Sequence, residues 1–265
     1  MKKKLILLLA LAACLFVACT ANEPEEEIST ELDNAVGEAI LKDSEGSYRD
    51  GECQAEGHII MGTEKVFDNE IEVYVLTTYG NYGFENGEFN KVSGTGCIPE
   101  VMNFSTENGY EIINIKYPED GSNYVKSIKD MFPSKYEQRA LNPSKEDLDN
   151  LAMQETWYAD EYLTSIGRPG VQIVDYSQRT LLEDEGVSVE VGNELLDKEK
   201  DLLTNYPWWI GTREQIEDGT RYIYEMTYDK EENRIKYSKT NSETNTEVEW
   251  FLFDSTNAEL IDQSK

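Results

Sequence analysis

Two Asn-Gly pairs, Asn86-Gly87 and Asn108-Gly109, stand between runs of strand-forming residues, and with Asp68-Asn69 they constrain the fold of the chain's first half more than any other feature. Such pairs punctuate antiparallel strands. They separate four strand-like runs at residues 52–62, 70–79, 89–104 (with an irregularity at Pro99) and 110–117. In the second run Ile71, Val73 and Val75 face one way and Glu70 and Glu72 the other, the pattern of a sheet with one solvated face. Ahead of the strands, Ile28, Leu32, Ala35, Val36, Ala39 and Ile40 recur at helical spacing behind a capping Ser29 or Thr30, which predicts an amphipathic helix over residues 30–42. A helix laid across an antiparallel meander covers the apolar face most simply, so the chain reads as α+β.

The glycines of residues 80–87 follow a strand and lead into another, so they read as a hairpin loop, with no helix N-terminus to hold phosphate. Tyr124, Ile128 and Met131 predict a short helix ended by Pro133, and residues 134–143 read as a connector. Ser144-Lys145-Glu146-Asp147 then resembles a capping box, with Asp in place of Glu, and opens a long central helix. Its stripe is Leu148, Leu151, Ala152, Ala159, Tyr162 and Ile166, and Gly167 with Pro169 stops it. A further helical stretch is expected near residues 194–203, and a three-stranded antiparallel meander at 220–228, 234–239 and 247–254. The expected divisions are residues 1–18 as a signal peptide, 19–29 as an acidic linker, 30–133 as helix plus sheet, and 134–265 as long helix plus meander. The last two parts are large enough for one domain or two.

The first nineteen residues, MKKKLILLLALAACLFVAC, have the layout of a bacterial lipoprotein signal: a basic head, about fourteen apolar residues and a terminal cysteine. The run falls short of a bilayer span. Cys19 is the expected lipidated residue, because polar sequence follows it at once; Cys14, with Leu11 three residues before it, is the alternative. Acyl chains there would hold the protein, palmitate-modified, at the extracytoplasmic face of the cell membrane. Loss of residues 1–18 removes three lysines and no acid, leaving 53 acidic against 21 basic residues and a charge near -32. A surface of that sign repels phosphate, which excludes nucleic acid and anionic lipid as natural partners.

Two cysteines then remain. Cys53 lies on the apolar face of its strand with Ala55, Ile59 and Met61, whereas Cys97 alternates oppositely to Val92 and Ile98, so parity argues against a bridge unless Pro99 marks a bulge. The single histidine, His58, falls among Glu52, Gln54 and Glu56 and reads as a solvated surface residue. With one histidine and no HExxH, a catalytic metal centre is not expected. Glu155 lies on the long helix's apolar stripe between Ala152 and Ala159, where a buried carboxyl would have a raised pKa and need a partner. Its plainer role is a stripe-edge residue reaching solvent or an arginine. Calcium is the cofactor an acidic exported chain recruits most readily, but residues 43–47 and 229–233 lack the sixth-position glycine and distal glutamate of an EF-hand. Tyr82 and Phe84, with Trp208 and Trp209 beside Pro207, form a candidate aromatic ligand platform, for which core packing is the plainer explanation.

The stretches ELDNAVGEAILKDSEGSYRDGECQAEGHIIMGTE, YGFENGEFNKVSGTGCIPEVMNFS, SIKDMFPSKY and YPWWIGTREQIEDGTRYIYEMTYD resemble an uncharacterised extracytoplasmic module of clostridial-type Firmicutes. That module occurs as a lipoprotein and as the tail of BlaR-type membrane metallopeptidases. The resemblance covers residues 30–255 and lacks the peptidase part with its zinc motif. It implies an outward-facing domain that senses, binds or docks. The expectation is therefore a membrane-anchored, non-enzymatic module binding a small ligand or an envelope protein, without cofactor. The alternatives are a carboxylate-based or calcium-assisted envelope hydrolase and, third, a solute-binding protein.

Overall fold

The computed structural model describes residues 28–178 and 187–264. The first helix, α1 (Thr30–Ser44), starts where Ser29 Oγ accepts a hydrogen bond from the Leu32 amide at 3.2 Å. Five strands follow: β1 (Cys53–Phe67), β2 (Glu70–Glu85), β3 (Glu88–Gly94), β4 (Ile98–Ser105) and β5 (Glu111–Lys116). Strand β2 is their axis. β1 runs antiparallel along one side of it, while β4 and β3 share the other side, β4 against residues 70–77 and β3 against residues 80–85. β5 closes that flank against β4. Leu32, Val36, Ala39 and Ile40 of α1 pack on Val73, Val75, Tyr79, Met102 and Phe104, so the expected helix-over-meander arrangement is present.

Details differ from the expected pattern. The run 89–104 is two strands, because each half pairs with a different stretch of β2 and the chain must step between them at residues 95–97. The expected hairpin loop at 80–87 is mostly strand. β2 continues to Glu85, and the turn is Asn86-Gly87 alone, whose φ angles of 52° and 80° match a two-residue hairpin. Gly80 is required there because a Cβ would lie 2.7 Å from Glu155 Oε2. The expected connector contains a helix, α3 (Ser134–Leu141), which follows α2 (Tyr124–Met131) after Pro133 and buries Ala140 beside Tyr74 and Val101.

The long helix α4 (Lys145–Ser165) has the expected capping box, with Ser144 Oγ accepting from the Asp147 amide and Asp147 accepting from the Ser144 amide. Arg139 grips the same carboxylate through two nitrogens. At the other end the Arg168 amide reaches the Leu163 carbonyl and the Gly167 amide the Thr164 carbonyl, with Gly167 at φ 74°, which closes the last turn. The buried stripe is Leu151, Glu155, Ala159 and Leu163; Leu148 and Ala152 face solvent. It lies across β1 and the end of β2 beside Ala55, Tyr82, Phe84 and Phe89.

After β6 (Ile173–Val174), parallel to β3, come α5 (Val189–Lys198) and α6 (Lys200–Leu203). A meander then follows: β7 (Gly211–Glu217), β8 (Thr220–Asp229), β9 (Arg234–Asn241), β10 (Thr246–Asp254) and β11 (Leu260–Gln263). The expected three strands are β8 to β10, flanked by one more on each side. β7 meets the tip of β2 through the pair Glu85 and Arg213, so one mostly antiparallel sheet runs through the described residues. The fold is α+β.

Candidate functional site

An apolar cleft opens where α5 faces the segment leading into β7. Ser188 Oγ caps α5 by accepting from the Val191 amide, which points Val191 and Leu195 into the second core and leaves Val189 and Leu196 exposed on the rim. The opposite wall is Tyr206, Pro207, Trp208, Trp209 and Ile210, and Met226 and Tyr237 form the floor. The cleft has a volume of ≈ 220 Å³. None of its lining residues is charged, in a chain where 29% of residues are Asp, Glu, Lys or Arg.

Trp208 projects outward with 65% of its surface exposed. Its ring stands nearly perpendicular to Trp209 at 5.3 Å between centroids, and the Arg213 guanidinium lies 4.7 Å from the Trp209 ring centre, fixing that indole from behind. Tyr206 is anchored too: its hydroxyl donates to Glu249 at 3.0 Å, and Tyr224, Tyr237 and Phe251 meet its ring edge-on. A rigid aromatic wall with an exposed indole suits a flat apolar face such as a sugar ring or an aromatic side chain.

The expected four-residue platform does not exist. Tyr82 and Phe84 are core residues of the first half, 5% and 1% exposed, because α4 covers the end of β2. The Arg168 and Arg221 guanidiniums lie over the Phe84 ring, which meets Phe89 at 4.7 Å between centroids with a tilt of 48°, while the Tyr82 hydroxyl donates to Glu155 at 3.0 Å. Glu155 is buried, 3% exposed, rather than the stripe-edge residue that was its plainer reading, and its partner is a lysine in place of an arginine: Lys91 Nζ donates to it at 2.9 Å. A carboxylate held by an ammonium and a phenol in a packed interior is a structural pair.

His58 is not a surface residue. It is 9% exposed because α1 packs on one face of β1 and α4 on the other, so strand parity there carries no solvent signal. Its Nδ1 lies 2.9 Å from Glu56 Oε2 and its Nε2 3.1 Å from Asp33 Oδ1. The Tyr158 hydroxyl donates to the other oxygen of Glu56 at 2.9 Å. Burial pushes the imidazole pKa down, but the hydrogen bonds and charges of Glu56 and Asp33 outweigh it, and the net position is above the usual 6.5. Gln154 of α4 bonds the His58 backbone twice, at 3.0 Å and 2.9 Å, satisfying a free edge of β1. A shallow groove beside Asp33 and His58 is lined by Ile28, Thr30, Asn150 and Met153. No sequence motif marks this cluster, which draws on three elements, with Asp33 twenty-five residues before His58 and Gln154 ninety-six after it.

Glu100, on β4, is also buried; its pKa is pushed up to about 7 by burial, against the Thr77 hydroxyl that donates to it at 2.6 Å, with the Asp43 charge adding to the rise. Cys53 and Cys97 are free thiols, each pushed up to about 11 by burial, so neither is an activated nucleophile. Asp229 spends its carboxylate on the Glu231 and Glu232 amides of its own turn, and Asp43 accepts from the Tyr117 hydroxyl at 2.5 Å. Among the described residues no three His, Cys, Asp or Glu side chains are grouped to hold a metal ion, and no helix is long and apolar enough to cross a membrane. Cys14 and Cys19 lie outside the described residues. No protein-family model, curated protein or solved structure matches the chain.

Proposed function

We propose that the chain is a lipid-anchored extracytoplasmic module that binds, without catalysis, an uncharged ligand presenting a flat apolar face, and that the cleft between α5 and Trp208 is where it binds. The observation that carries this reading is the uncharged lining around an exposed, rigidly backed indole. The chain's net charge of -29 disfavours anions, and a lining without carboxylates offers a cation no ion pair, which favours neutral rings. The volume lies below the roughly 300–1,000 Å³ of sites that engulf a drug-sized ligand, which points to one ring of a larger molecule rather than a whole one. The signal sequence supports the address, with Cys19 as the acylated residue and Cys14 as the alternative.

The test of the site is fluorescence titration with the neutral aromatic probe 1-aminoanthracene, followed by displacement with neutral cell-wall glycan fragments and with peptides ending in an aromatic residue. Saturable binding that weakens in Trp208→Ala supports the cleft; identical titrations of the parent chain and the variant would remove it. The anchor is tested by globomycin treatment of Cys19→Ala and Cys14→Ala cells, in which only the acylated cysteine's variant should lose processing.

A further inference from the structure

His58 is held from both sides by carboxylates, and that arrangement has a chemical consequence. A neutral imidazole carries one N–H donor and one bare nitrogen acceptor, whereas ionised carboxylates only accept. Glu56 at Nδ1 and Asp33 at Nε2 are both engaged only by the imidazolium. The two carboxylates come from different elements, Glu56 from β1 itself and Asp33 from the first turn of α1. We propose that Asp33, His58 and Glu56 form a proton-operated latch, which fastens the start of α1 to the sheet while His58 carries both protons and frees it when one leaves.

Every element packed against His58 fits this reading. From α1 the ionisable group is Asp33, and Gly37 brings the helix so near that a Cβ would lie 2.7 Å from Glu56 Oε1 and 3.6 Å from His58 Cε1. From α4, Tyr158 holds Glu56 in place and Gln154 holds the His58 backbone, so that side of the cluster stays fixed as the ring titrates. On β2 the residue opposite is Thr77, whose hydroxyl points to the Ile98 carbonyl and to Glu100. Asp33 is therefore the arm that lets go: it is more than half exposed and able to trade the ring for water, whereas Glu56 is buried and bonded to Tyr158. The pKa of the ring lies above its unfolded value, so the latch is complete below pH 6.5 and is lost as pH rises through the folded value. The latch is independent of the cleft and of whatever occupies it.

The chain has one histidine, so ¹H–¹⁵N multiple-bond correlation spectra of the full chain, without added histidines, report this ring alone. The expected result is a titration midpoint above 6.5 that moves down in Asp33→Asn. In parallel, hydrogen-exchange protection of the α1 amides, corrected for intrinsic rates, should fall about tenfold or more across that titration, as the loss of one charge-assisted hydrogen bond requires. In Asp33→Asn that protection should be low and flat with pH. Glu31→Gln removes another acid from the same helical turn without touching His58, and should behave as the parent chain does. A midpoint at or below 6.5, α1 protection that ignores the titration, or an Asp33→Asn variant indistinguishable from Glu31→Gln would each overturn the latch.

Discussion

Glu100→Gln should make the protein more stable at pH 8 than the parent chain, although it replaces a native buried residue. The carboxyl's pKa is about 7 in the fold against an ordinary 4.5, so the folded state holds this proton more tightly than the unfolded chain does. At about 1.36 kcal/mol per pKa unit, the ionised form costs the fold ~3 kcal/mol above pH 7. The sign follows: with more protons bound in the folded state, stability falls as pH rises from about 4.5 to about 7 and is then flat. Glutamine never ionises, and its carbonyl can still accept from Thr77 Oγ, which in the parent chain lies 2.6 Å from Glu100 Oε1 and 3.1 Å from the Ile98 carbonyl. Its extra N–H₂ needs an acceptor in a closed site, a cost of about 1 kcal/mol if poorly met. The expected net gain at pH 8 is therefore about 2 kcal/mol, vanishing or reversing at pH 5. Urea unfolding of both proteins at the two pH values measures it, read as the difference between proteins because His58 also weakens the parent chain above pH 6.5. A difference that stays constant within about 0.5 kcal/mol between pH 5 and pH 8 would refute a buried, proton-holding Glu100.

Asp147→Asn should cost about 1–2 kcal/mol at pH 7, after allowance for the half-exposed Arg139 that grips it. Arg139 and the Ser144 cap hold this carboxyl at about 2 against its usual 3.8, so the parent chain loses that stability as pH falls from about 4 through about 2 and the difference between it and the asparagine variant closes there; urea unfolding of both proteins along an acid titration, followed by circular dichroism, measures it. Trp208→Ala should weaken probe binding about tenfold, equivalent to ~1.4 kcal/mol, and leave the melting temperature nearly unchanged because the indole is mostly exposed.

The sequence was most legible where local physics acts alone. The α1 stripe, the Ser144 capping box, the stop at Gly167 and the turn signal at Asn86-Gly87 each depend on residues within one or two turns of one another. Legibility failed where a distant element changed the solvent environment. Alternation around His58 assumes a strand with one wet face, but α1 arrives from twenty-five residues upstream and α4 from ninety-six downstream to cover both. Tyr82 and Phe84 were misplaced for the same reason, since a glycine-rich stretch looks like a loop until Glu155 and Lys91 explain why Gly80 lacks a side chain. Of the aromatic platform, Trp208 and Trp209 were found from their adjacency beside Pro207. Their α5 counterparts, Val189 and Leu196, belong to a helix whose start at Ser188 carries no cue stronger than a common N-cap residue.

The two halves of the sheet meet through little backbone: one paired position, Glu85 with Arg213, and the Asn86 contacts to Thr212. Side chains must carry the coupling, and Arg221 is placed to do so. It donates to both oxygens of Glu52 at 2.6 Å and 2.8 Å, and to Glu214 at 3.0 Å, which Arg168 in turn holds at 2.6 Å. Both guanidiniums also lie over the Phe84 ring. Arg221→Met keeps most of the side chain's volume and removes the charge, leaving the Glu52 side chain, 8% exposed, with the Tyr162 hydroxyl as its remaining side-chain partner. An uncompensated carboxylate of this kind costs about 3–5 kcal/mol. Because the lost energy lies between the halves and not within either core, the expected signature is more than a lower melting temperature. Calorimetry should resolve two transitions where the parent chain shows one, and hydrogen exchange should show β8 and β9 opening before α4. The double variant Glu52→Gln with Arg221→Met should recover part of the loss, since it removes the stranded charge. A single transition at an unchanged midpoint in Arg221→Met would mean that the backbone junction alone couples the halves, and that the arginine cluster is incidental to cooperativity.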